Sequence, residues 1–514
     1  MRLSARVAAA LIAIVVALPA FVARSFTQDV SSDAAEVQLQ LGELLFEQGR
    51  FIEAFEAYGI ATRGSDTRLR RLALRGTIQS RLRMADFTGA FEDSEALLVL
   101  SPRDPEAAAL HADALWALGQ FQQSEAEFER ALALNPESSR ARHGRARSLA
   151  SRTRLDEALN EAQAALRLAP RDGEIHHTVG AIYQRMNLFG EAANAFASYV
   201  NLLPNKDRSV KAAWSRAELE FLRGFDGKVP LQMAPEDERR VHTMPFRVEN
   251  EKVVVKARVN GSPEMDFVLD TGAELTVITE QQAKRLGVEE ISETLSAGVG
   301  DFGLRGLVVG RIDTLTIGSL TLRNVPCLIK NPPLRGLPTE ERESLSPIAL
   351  GLSTIIDYGR QELYIGREVP REPSDYALPL RVHRLAMVQG MVGGVPANFV
   401  VDTGGQVISI STDTASTLTV DESLRQIPLK VYGTSGWDND AFLMPGVDLA
   451  FQGIRYSNFS VVVLNLRAPS VLLGFQVGGI VGHQFLSDYR VVMDMARSEL
   501  RLERSDEPLQ AGSR

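Results

Sequence analysis

Cysteine is almost absent from this chain, whose 514 residues include only Cys327. A single cysteine excludes an internal disulfide framework and any zinc site built from several thiolates. Cys327 lies in the apolar phrase NVPCLI, which predicts a buried structural thiol and not a nucleophile. The seven histidines show no metal-ligand spacing. We therefore expect no metal and no cofactor.

The chain also lacks long runs of lysine and arginine, and its formal net charge is −9. Without a basic block to neutralise phosphates, nucleic acid is not expected as a partner. No Gly-x-Ser-x-Gly elbow occurs, and the glycine-rich stretch VGDFGLRG lacks the Lys-Ser/Thr ending of a phosphate loop. Serine, cysteine and nucleotide-dependent mechanisms are therefore disfavoured.

A long hydrophobic run occurs at the N-terminus, where Arg2 and Arg6 precede an unbroken apolar stretch over residues 7–23. This is the layout of an export signal. The run is also long enough to span a bilayer if it is retained, and the sequence leaves both interpretations open. Residues 1–28 are thus predicted to be a signal peptide or a membrane anchor. The remaining chain is expected in the periplasm or cell envelope, with a tether to the inner membrane through residues 7–23 as one alternative.

Between residues 36 and 225 apolar residues recur at helical spacing, and this region contains a 34-residue period. The period is marked by prolines and by small residues upstream of them: Pro102, Pro136, Pro170 and Pro204, with Ala90, Ser124, Ala158 and Ala192. A helix–turn–helix period of this length resembles the tetratricopeptide repeat. The resemblance implies an all-α solenoid over residues 36–225 whose concave face binds a protein partner or the substrate. A role as a spacer or dimerisation surface is the alternative.

Beyond a predicted linker at residues 226–244, short β-rich runs alternate with Gly, Asn and Pro, which predicts an all-β region. Two phrases in it match when the sequence is shifted by 132 positions: FVLDTGAELTVIT around Asp270 and FVVDTGGQVISIS around Asp402. Farther on, IDYGRQELYI matches MDMARSELRL. The duplication predicts two lobes at residues 245–366 and 380–504, joined by a linker at 367–379 and followed by a tail at 505–514.

Two Asp-Thr-Gly phrases, each followed later by an apolar-apolar-Gly triplet, resemble the retropepsin-like aspartic proteases. The resemblance implies a two-lobed all-β module of the retropepsin or pepsin kind, in which Asp270 and Asp402 are the catalytic residues. Two carboxyls at hydrogen-bond distance cannot both ionise cheaply, so they share one proton. The ionised carboxylate then takes a proton from water while the protonated one polarises the peptide carbonyl. The sequence therefore predicts an aspartic endopeptidase acting on a protein or peptide.

The resemblance also implies support for this pair. Thr271 and Thr403 would tie the two lobes together beneath the aspartates, while Gly272 and Gly404 would let the backbone pass close to them.

A hairpin from each lobe is expected to cover the substrate. The candidates are the glycine-rich stretches SAGVGDFGLRG and VYGTSGWDND, whose composition suits a mobile lid. The residues predicted to belong to these lids are Gly300, Phe302, Tyr432 and Trp437.

The two copies depart from the family pattern just after each Asp-Thr-Gly. Glu274 and Gln406 stand where the family carries a Ser or Thr that hydrogen-bonds the catalytic carboxyl. The second copy is also longer after its glycine triplet, so the first lobe is expected to lack a short helix. These departures motivate an alternative function, a catalytically inactive envelope scaffold whose repeats and degenerate lobes bind partners. Exchange of lobes between two chains is another alternative, although the short linker at 367–379 favours pairing within one chain.

Overall fold

The computed structural model describes residues 30–204, 207–299, 304–330, 342–418, 426–433 and 436–504. The predicted signal peptide or anchor at 1–28 and the predicted tail at 505–514 lie outside these residues. Within the described ranges, no helix combines the length and apolar character needed to cross a membrane.

The N-terminal part of the described chain is an array of helices. They are α1 (Ser32–Glu47), α2 (Phe51–Ala61), α3 (Thr67–Arg83), α4 (Phe87–Leu100), α5 (Pro105–Ala117), α6 (Phe121–Leu134), α7 (Ser139–Ser151), α8 (Leu155–Leu168), α9 (Gly173–Arg185), α10 (Phe189–Leu202) and α11 (Val210–Gly224). The small residues of the 34-residue period, Ala90, Ser124, Ala158 and Ala192, are completely buried on the second helices of their pairs. Small side chains let the two helices of a pair approach closely. The predicted helical solenoid is confirmed.

Local sequence explains where these helices begin and end. Asp104 caps α5 by accepting a hydrogen bond from the Glu106 N–H at 3.1 Å. Pro105 occupies the first position of α5, where no N–H is needed. Helix α4 ends at Leu100, two residues before Pro102, and α6, α8 and α10 end in the same way before their own prolines. Proline cannot continue a helix, so the period in the sequence becomes a period of helix ends.

The first lobe is built around a closed ring of six strands. The strands of this part of the chain are β1 (His242–Pro245), β2 (Arg247–Glu249), β3 (Lys252–Val259), β4 (Met265–Leu269), β5 (Thr276–Thr279), β6 (Glu289–Ala297), β7 (Leu304–Ile317), β8 (Leu320–Lys330), β9 (Glu343–Leu345), β10 (Ser353–Asp357) and β11 (Glu362–Gly366). Helix α12 (Glu280–Leu286) follows β5. The ring runs β3-β4-β9-β5-β8-β7 and closes where β7 pairs with β3.

The second lobe repeats this arrangement. Its elements are β12 (Tyr376–His383), β13 (Leu385–Val392), β14 (Val395–Val401), β15 (Ser409–Ser411), α13 (Thr412–Ser416), β16 (Ile427–Pro428), β17 (Val431–Gly433), β18 (Gly436–Asp438), β19 (Phe442–Phe451), β20 (Ile454–Leu464), α14 (Arg467–Leu473), β21 (Gly479–Val481), α15 (His483–Leu486), β22 (Tyr489–Asp494) and β23 (Glu499–Arg504). The ring runs β13-β14-β21-β15-β20-β19 and closes where β19 pairs with β13. The predicted two-lobed all-β fold is confirmed.

A sheet shared by the two lobes joins them. Its strand order is β1-β11-β10-β22-β23-β12, and the lobes meet where Ile355 of β10 pairs with Val492 of β22. The matched phrases found in the sequence form the hairpins β10–β11 and β22–β23 on either side of this junction. All of strand β1 except its last residue lies in the segment 226–244, which the sequence predicts to be a linker. Strand β12 begins within the second predicted linker, 367–379. Both segments thus contribute to the shared sheet.

The two lobes differ after the glycine triplet. In the second lobe Gly482 leads into α15, whereas residues 347–351 of the first lobe form only turns before β10. A longer segment has room for a helical turn, so this asymmetry follows from the different lengths of the two copies.

The helical array packs against both lobes. Phe225, just after α11, shares one buried cluster with Val309 of β7 in the first lobe. Phe121, at the start of α6, contacts Phe475 of the second lobe with ring centroids 5.2 Å apart. Shared apolar cores of this kind hold the array and the lobes in a defined arrangement. The two lobes therefore cover part of the surface of the array.

Candidate active site

Both Asp-Thr-Gly aspartates lie directly after a buried strand. Asp270 follows β4, and its N–H donates a hydrogen bond to the Leu345 carbonyl of β9 at 2.9 Å. Asp402 follows β14, and its N–H donates to the Val481 carbonyl of β21 at 3.0 Å. Strands β4 and β14 run parallel to β9 and β21. The same strand arrangement, used twice, therefore delivers the two carboxyls to the junction between the lobes.

Thr271 and Thr403 form reciprocal hydrogen bonds across this junction. The Thr271 N–H donates to Thr403 Oγ1 at 3.1 Å, and the Thr403 N–H donates to Thr271 Oγ1 at 3.0 Å. Each hydroxyl then donates to a carbonyl of the opposite lobe, Thr271 to Val401 at 2.7 Å and Thr403 to Leu269 at 2.6 Å. Both threonines are completely buried. Since all of these groups are paired inside the protein, the network fixes the position of one lobe on the other.

Glycine is required after each threonine because the opposite aspartate lies against the backbone there. A Cβ on Gly272 would lie 2.6 Å from Asp402 Oδ1, and a Cβ on Gly404 would lie 2.8 Å from the carboxyl carbon of Asp270. The Gly272 N–H donates to Asp270 Oδ1 at 3.0 Å and the Gly404 N–H donates to Asp402 Oδ1 at 2.8 Å. The glycines thus leave room for the carboxyls, and their N–H groups orient the carboxyls by hydrogen bonding.

The carboxyls of Asp270 and Asp402 are close neighbours, because each lies against the glycine of the opposite Asp-Thr-Gly loop, and each affects the pKa of the other. Both keep some exposed surface, but the surrounding protein removes most of their water. Burial raises the pKa of Asp270, and the neighbouring charge of Asp402 raises it further, to about 7. Burial also raises the pKa of Asp402, but the N–H groups of Gly404 and Gly405 and the charge of Lys252 oppose this rise. Burial and the proximity of the two carboxyls therefore favour a pair that keeps one shared proton.

The second-lobe hairpin predicted to cover the substrate is formed by β17 and β18. Tyr432 pairs with Trp437 across it, with ring centroids 5.3 Å apart. The tip reaches the first lobe, because a Cβ on Gly433 would lie 2.6 Å from Cβ of Val299. The first-lobe candidates Gly300 and Phe302 lie outside the described residues.

The residues that depart from the family pattern have different surroundings in the two lobes. The carboxylate of Glu274 forms an ion pair with Arg384 and is largely buried. Gln406 has an exposed side chain, and its carbonyl accepts a hydrogen bond from the Gln484 N–H at 2.9 Å.

Three residues near the pair were not found from the sequence. The positive charge of Lys252, at the start of β3, opposes the rise in the pKa of both aspartates. Ser346 donates a hydrogen bond from Oγ to the Ala273 carbonyl at 2.7 Å. Arg384 binds Glu274 from the turn between β12 and β13. Ser346 could have been found from the sequence, because it directly follows β9, the strand that pairs with β4. Lys252 and Arg384 could not, because in the sequence they look like ordinary surface cations.

The fold and the paired carboxyls together define an acid-protease architecture in two lobes, preceded by a repeat array. Known families divide the chain in the same way: the aspartyl protease family matches residues 255–354 and 388–484, and the tetratricopeptide repeat family matches residues 105–138. Each lobe of the β-rich region is thus similar to an aspartyl protease lobe, and the helical region is similar to a tetratricopeptide repeat array.

Individual proteins match over the array. A TPR repeat-containing thioredoxin of Arabidopsis thaliana is 35% identical over 81 residues, which make up 16% of this chain and 11% of the relative. The chain thus spans about a tenth of the length of that relative. A thermophilic TPR protein of Thermus thermophilus is 22% identical with a TM-score of 0.30, over 34% of this chain and 93% of that one. MamA from Desulfovibrio magneticus is 19% identical with a TM-score of 0.25, over 34% of this chain and 98% of that one.

Proposed function

We propose that the protein is an aspartic endopeptidase in which Asp270 and Asp402 activate water. The observation that carries the proposal is the close approach of the two carboxyls, each of which lies against the glycine of the opposite Asp-Thr-Gly loop. Paired carboxyls that share one proton are suited to acid–base catalysis, because one can accept a proton while the other donates one.

The different surroundings of the two aspartates support separate roles. Asp402, where the N–H groups of Gly404 and Gly405 oppose the rise in pKa, is the base that removes a proton from the water molecule. Asp270, which holds the shared proton, donates a hydrogen bond to the peptide carbonyl. The water oxygen bonds to the carbonyl carbon to give a tetrahedral intermediate. When the C–N bond breaks, the amine leaves with a proton from the pair, and the products are a carboxylic acid and an amine.

Cleavage of a mixed peptide library between pH 4 and pH 8 tests this proposal. Asp402→Asn is expected to lower the rate by about 10²–10⁴-fold, since acid–base catalysis by a positioned side chain contributes that much. Asp488→Asn is the matched control, because Asp488 is an exposed aspartate of the same lobe that lies outside the predicted substrate cover. If wild type and Asp402→Asn cleave equally well, the carboxyl pair is not the catalytic group. If wild type cleaves nothing, the inactive binding scaffold becomes the better interpretation.

We further propose that the array docks a protein substrate or partner at its N-terminal end. Helix α1 exposes Val37, Leu41 and Leu44 at 60%, 40% and 52%, and their spacing places them on one face. In the contacts described above, the lobes meet the array at Phe121 and Phe225, which do not belong to α1. Serine at all three positions is expected to weaken cleavage of a folded protein substrate while short peptides are cleaved at the wild-type rate. Equal effects on both substrates would contradict this role.

Export of the chain is also a proposal. It is supported by the two arginines and the apolar run of residues 7–23 at the N-terminus. Residues 1–28 fused to a reporter enzyme that is active only outside the cytoplasm should give reporter activity, and an inactive fusion would contradict export. Fractionation of the fusion would then separate a cleaved signal peptide from a membrane tether.

A further inference from the structure

The tip of the β12–β13 hairpin, residues 381–385, is one place where the second lobe reaches into the helical array. Arg381 forms an ion pair with Glu125 of the array at 2.5 Å. The Val382 carbonyl accepts a hydrogen bond from Arg185 Nη1 at 3.2 Å. His383 packs against Trp116 with ring centroids 5.0 Å apart. The array therefore holds this turn on several sides.

One residue of the turn faces in a different direction, toward the first lobe. Arg384 has a φ of 63°, a left-handed conformation that is uncommon for a residue other than glycine. Its guanidinium lies over the ring of Trp214 of α11 at 4.5 Å, and it forms the ion pair with Glu274. An unfavourable backbone conformation persists where the surroundings determine it, and here it aims the guanidinium at Trp214 and Glu274.

A second carboxyl lies near this guanidinium. Burial raises the pKa of Glu218 of α11 to about 7, although Arg384 and a hydrogen bond from Gln184 oppose the rise. The Glu218 carboxyl accepts that bond from Gln184 Nε2 at 2.5 Å. Arg384 thus pairs directly with Glu274, whereas the Glu218 carboxyl is held by Gln184 of α9.

Glu274 belongs to the loop that carries Asp270. The loop runs Asp270-Thr-Gly-Ala-Glu274, and the Ala273 carbonyl is held by Ser346 on its other side. The corresponding residue of the second lobe, Gln406, has an exposed side chain. Through its ion pair with Glu274 and its position over the ring of Trp214, Arg384 therefore connects the array with the Asp270 loop.

We propose that Arg384 is a positioning residue for peptide hydrolysis, which holds the Asp270 loop through Glu274 and uses Trp214 of the array as its platform. The proposal rests on the endopeptidase function proposed above. The array thereby contributes to the geometry of the active site in addition to any docking role.

Kinetics on one peptide substrate, with thermal unfolding of each variant, test the proposal. Arg384→Ala, Glu274→Ala and Trp214→Ala are each expected to lower kcat about 10- to 100-fold with little change in KM, because a small displacement of a catalytic group has effects of this size. Combining Arg384→Ala with Glu274→Ala should lower kcat no further than either alone, since both remove one interaction. Arg384→Lys keeps the charge but loses the planar stacking group, so it should restore kcat only in part.

Arg381→Ala is the matched control. Arg381 lies three residues away, pairs with Glu125 and lies over the ring of Phe121 at 5.6 Å, but its described contacts do not include Glu274. The control should therefore keep the wild-type kcat. If Arg384→Ala also keeps it, or if Arg381→Ala lowers it equally, the proposal is overturned.

Hydrogen exchange separates failure of this inference from failure of the proposed function. In the full-length chain, Arg384→Ala should speed amide exchange in the peptide covering residues 270–275, and Arg381→Ala should not. If wild type fails to cleave any substrate, the endopeptidase function is wrong, and this difference in exchange still supports the positioning role. Equal exchange in the two variants overturns the positioning role whether or not the protein cleaves peptides.

Discussion

Replacing Asp270 with asparagine is expected to stabilise the protein at high pH and not at low pH. The amide of asparagine resembles a protonated carboxyl, so Asp270→Asn keeps the hydrogen bonds of Asp270 without its charge. The pKa of Asp270 is raised from 3.8 to about 7, mainly by burial and then by the charge of Asp402. A raised pKa contributes stability that is complete below the unfolded value and is lost as the pH rises through the folded value. The loss in wild type therefore falls between about pH 4 and pH 8.

The magnitude follows from the shift. A rise of about three pKa units at 1.36 kcal/mol each corresponds to about 4 kcal/mol, an upper value because the two carboxyls titrate together. At pH 8, Asp270→Asn should exceed wild type in the free energy of unfolding by up to that amount. At pH 4 the two proteins should be nearly equal, because wild-type Asp270 is then protonated.

Calorimetry at pH 4 and pH 8 measures this difference, with Asp440→Asn as the control for loss of an exposed aspartate. The control should change the unfolding temperature equally at both pH values. The reasoning is refuted if Asp270→Asn shifts the unfolding temperature by the same amount at pH 4 and pH 8, since a burial-raised pKa requires a pH-dependent gain.

Three further predictions concern the same centre. The rate of peptide cleavage should fall as the pH rises through about 7, because Asp270 must carry a proton and its pKa is raised to about that value; a rate that continues to rise beyond pH 8 would exclude this assignment. Lys252→Gln should move this decline to higher pH, since removing a nearby cation favours the protonated pair. An unchanged pH profile of kcat would contradict this role of the Lys252 charge. Thr403→Val should reduce the free energy of unfolding by roughly 1–3 kcal/mol for each buried group left unpaired, chiefly the Leu269 carbonyl and the Thr271 N–H. An unfolding temperature equal to that of wild type would show that the cross-lobe network contributes little.

Much of the fold could be predicted because its signals are local. The 34-residue proline period corresponds to helix ends, since a proline cannot continue a helix wherever the chain goes afterwards. The matched phrases around Asp270 and Asp402 predict two copies of one fold for the same reason, because similar sequences form similar strands and turns. The extent of the shared sheet was harder to predict. Strands β1 and β12 arise in segments that look like linkers, and only pairing with distant strands makes them part of a sheet.

The sequence by itself determined the two Asp-Thr-Gly loops, the small residues that let helices approach and the unequal lengths of the lobes. Only the tertiary structure decided which groups surround the aspartates. Arg384 is 110 positions from Glu274, and Trp214 belongs to a different region of the chain, so no local pattern relates them. Ion pairs and ring contacts between such residues depend on how whole lobes and helices pack. For this reason the chemistry of the aspartate pair could be anticipated from the sequence, whereas its connection to the repeat array could not.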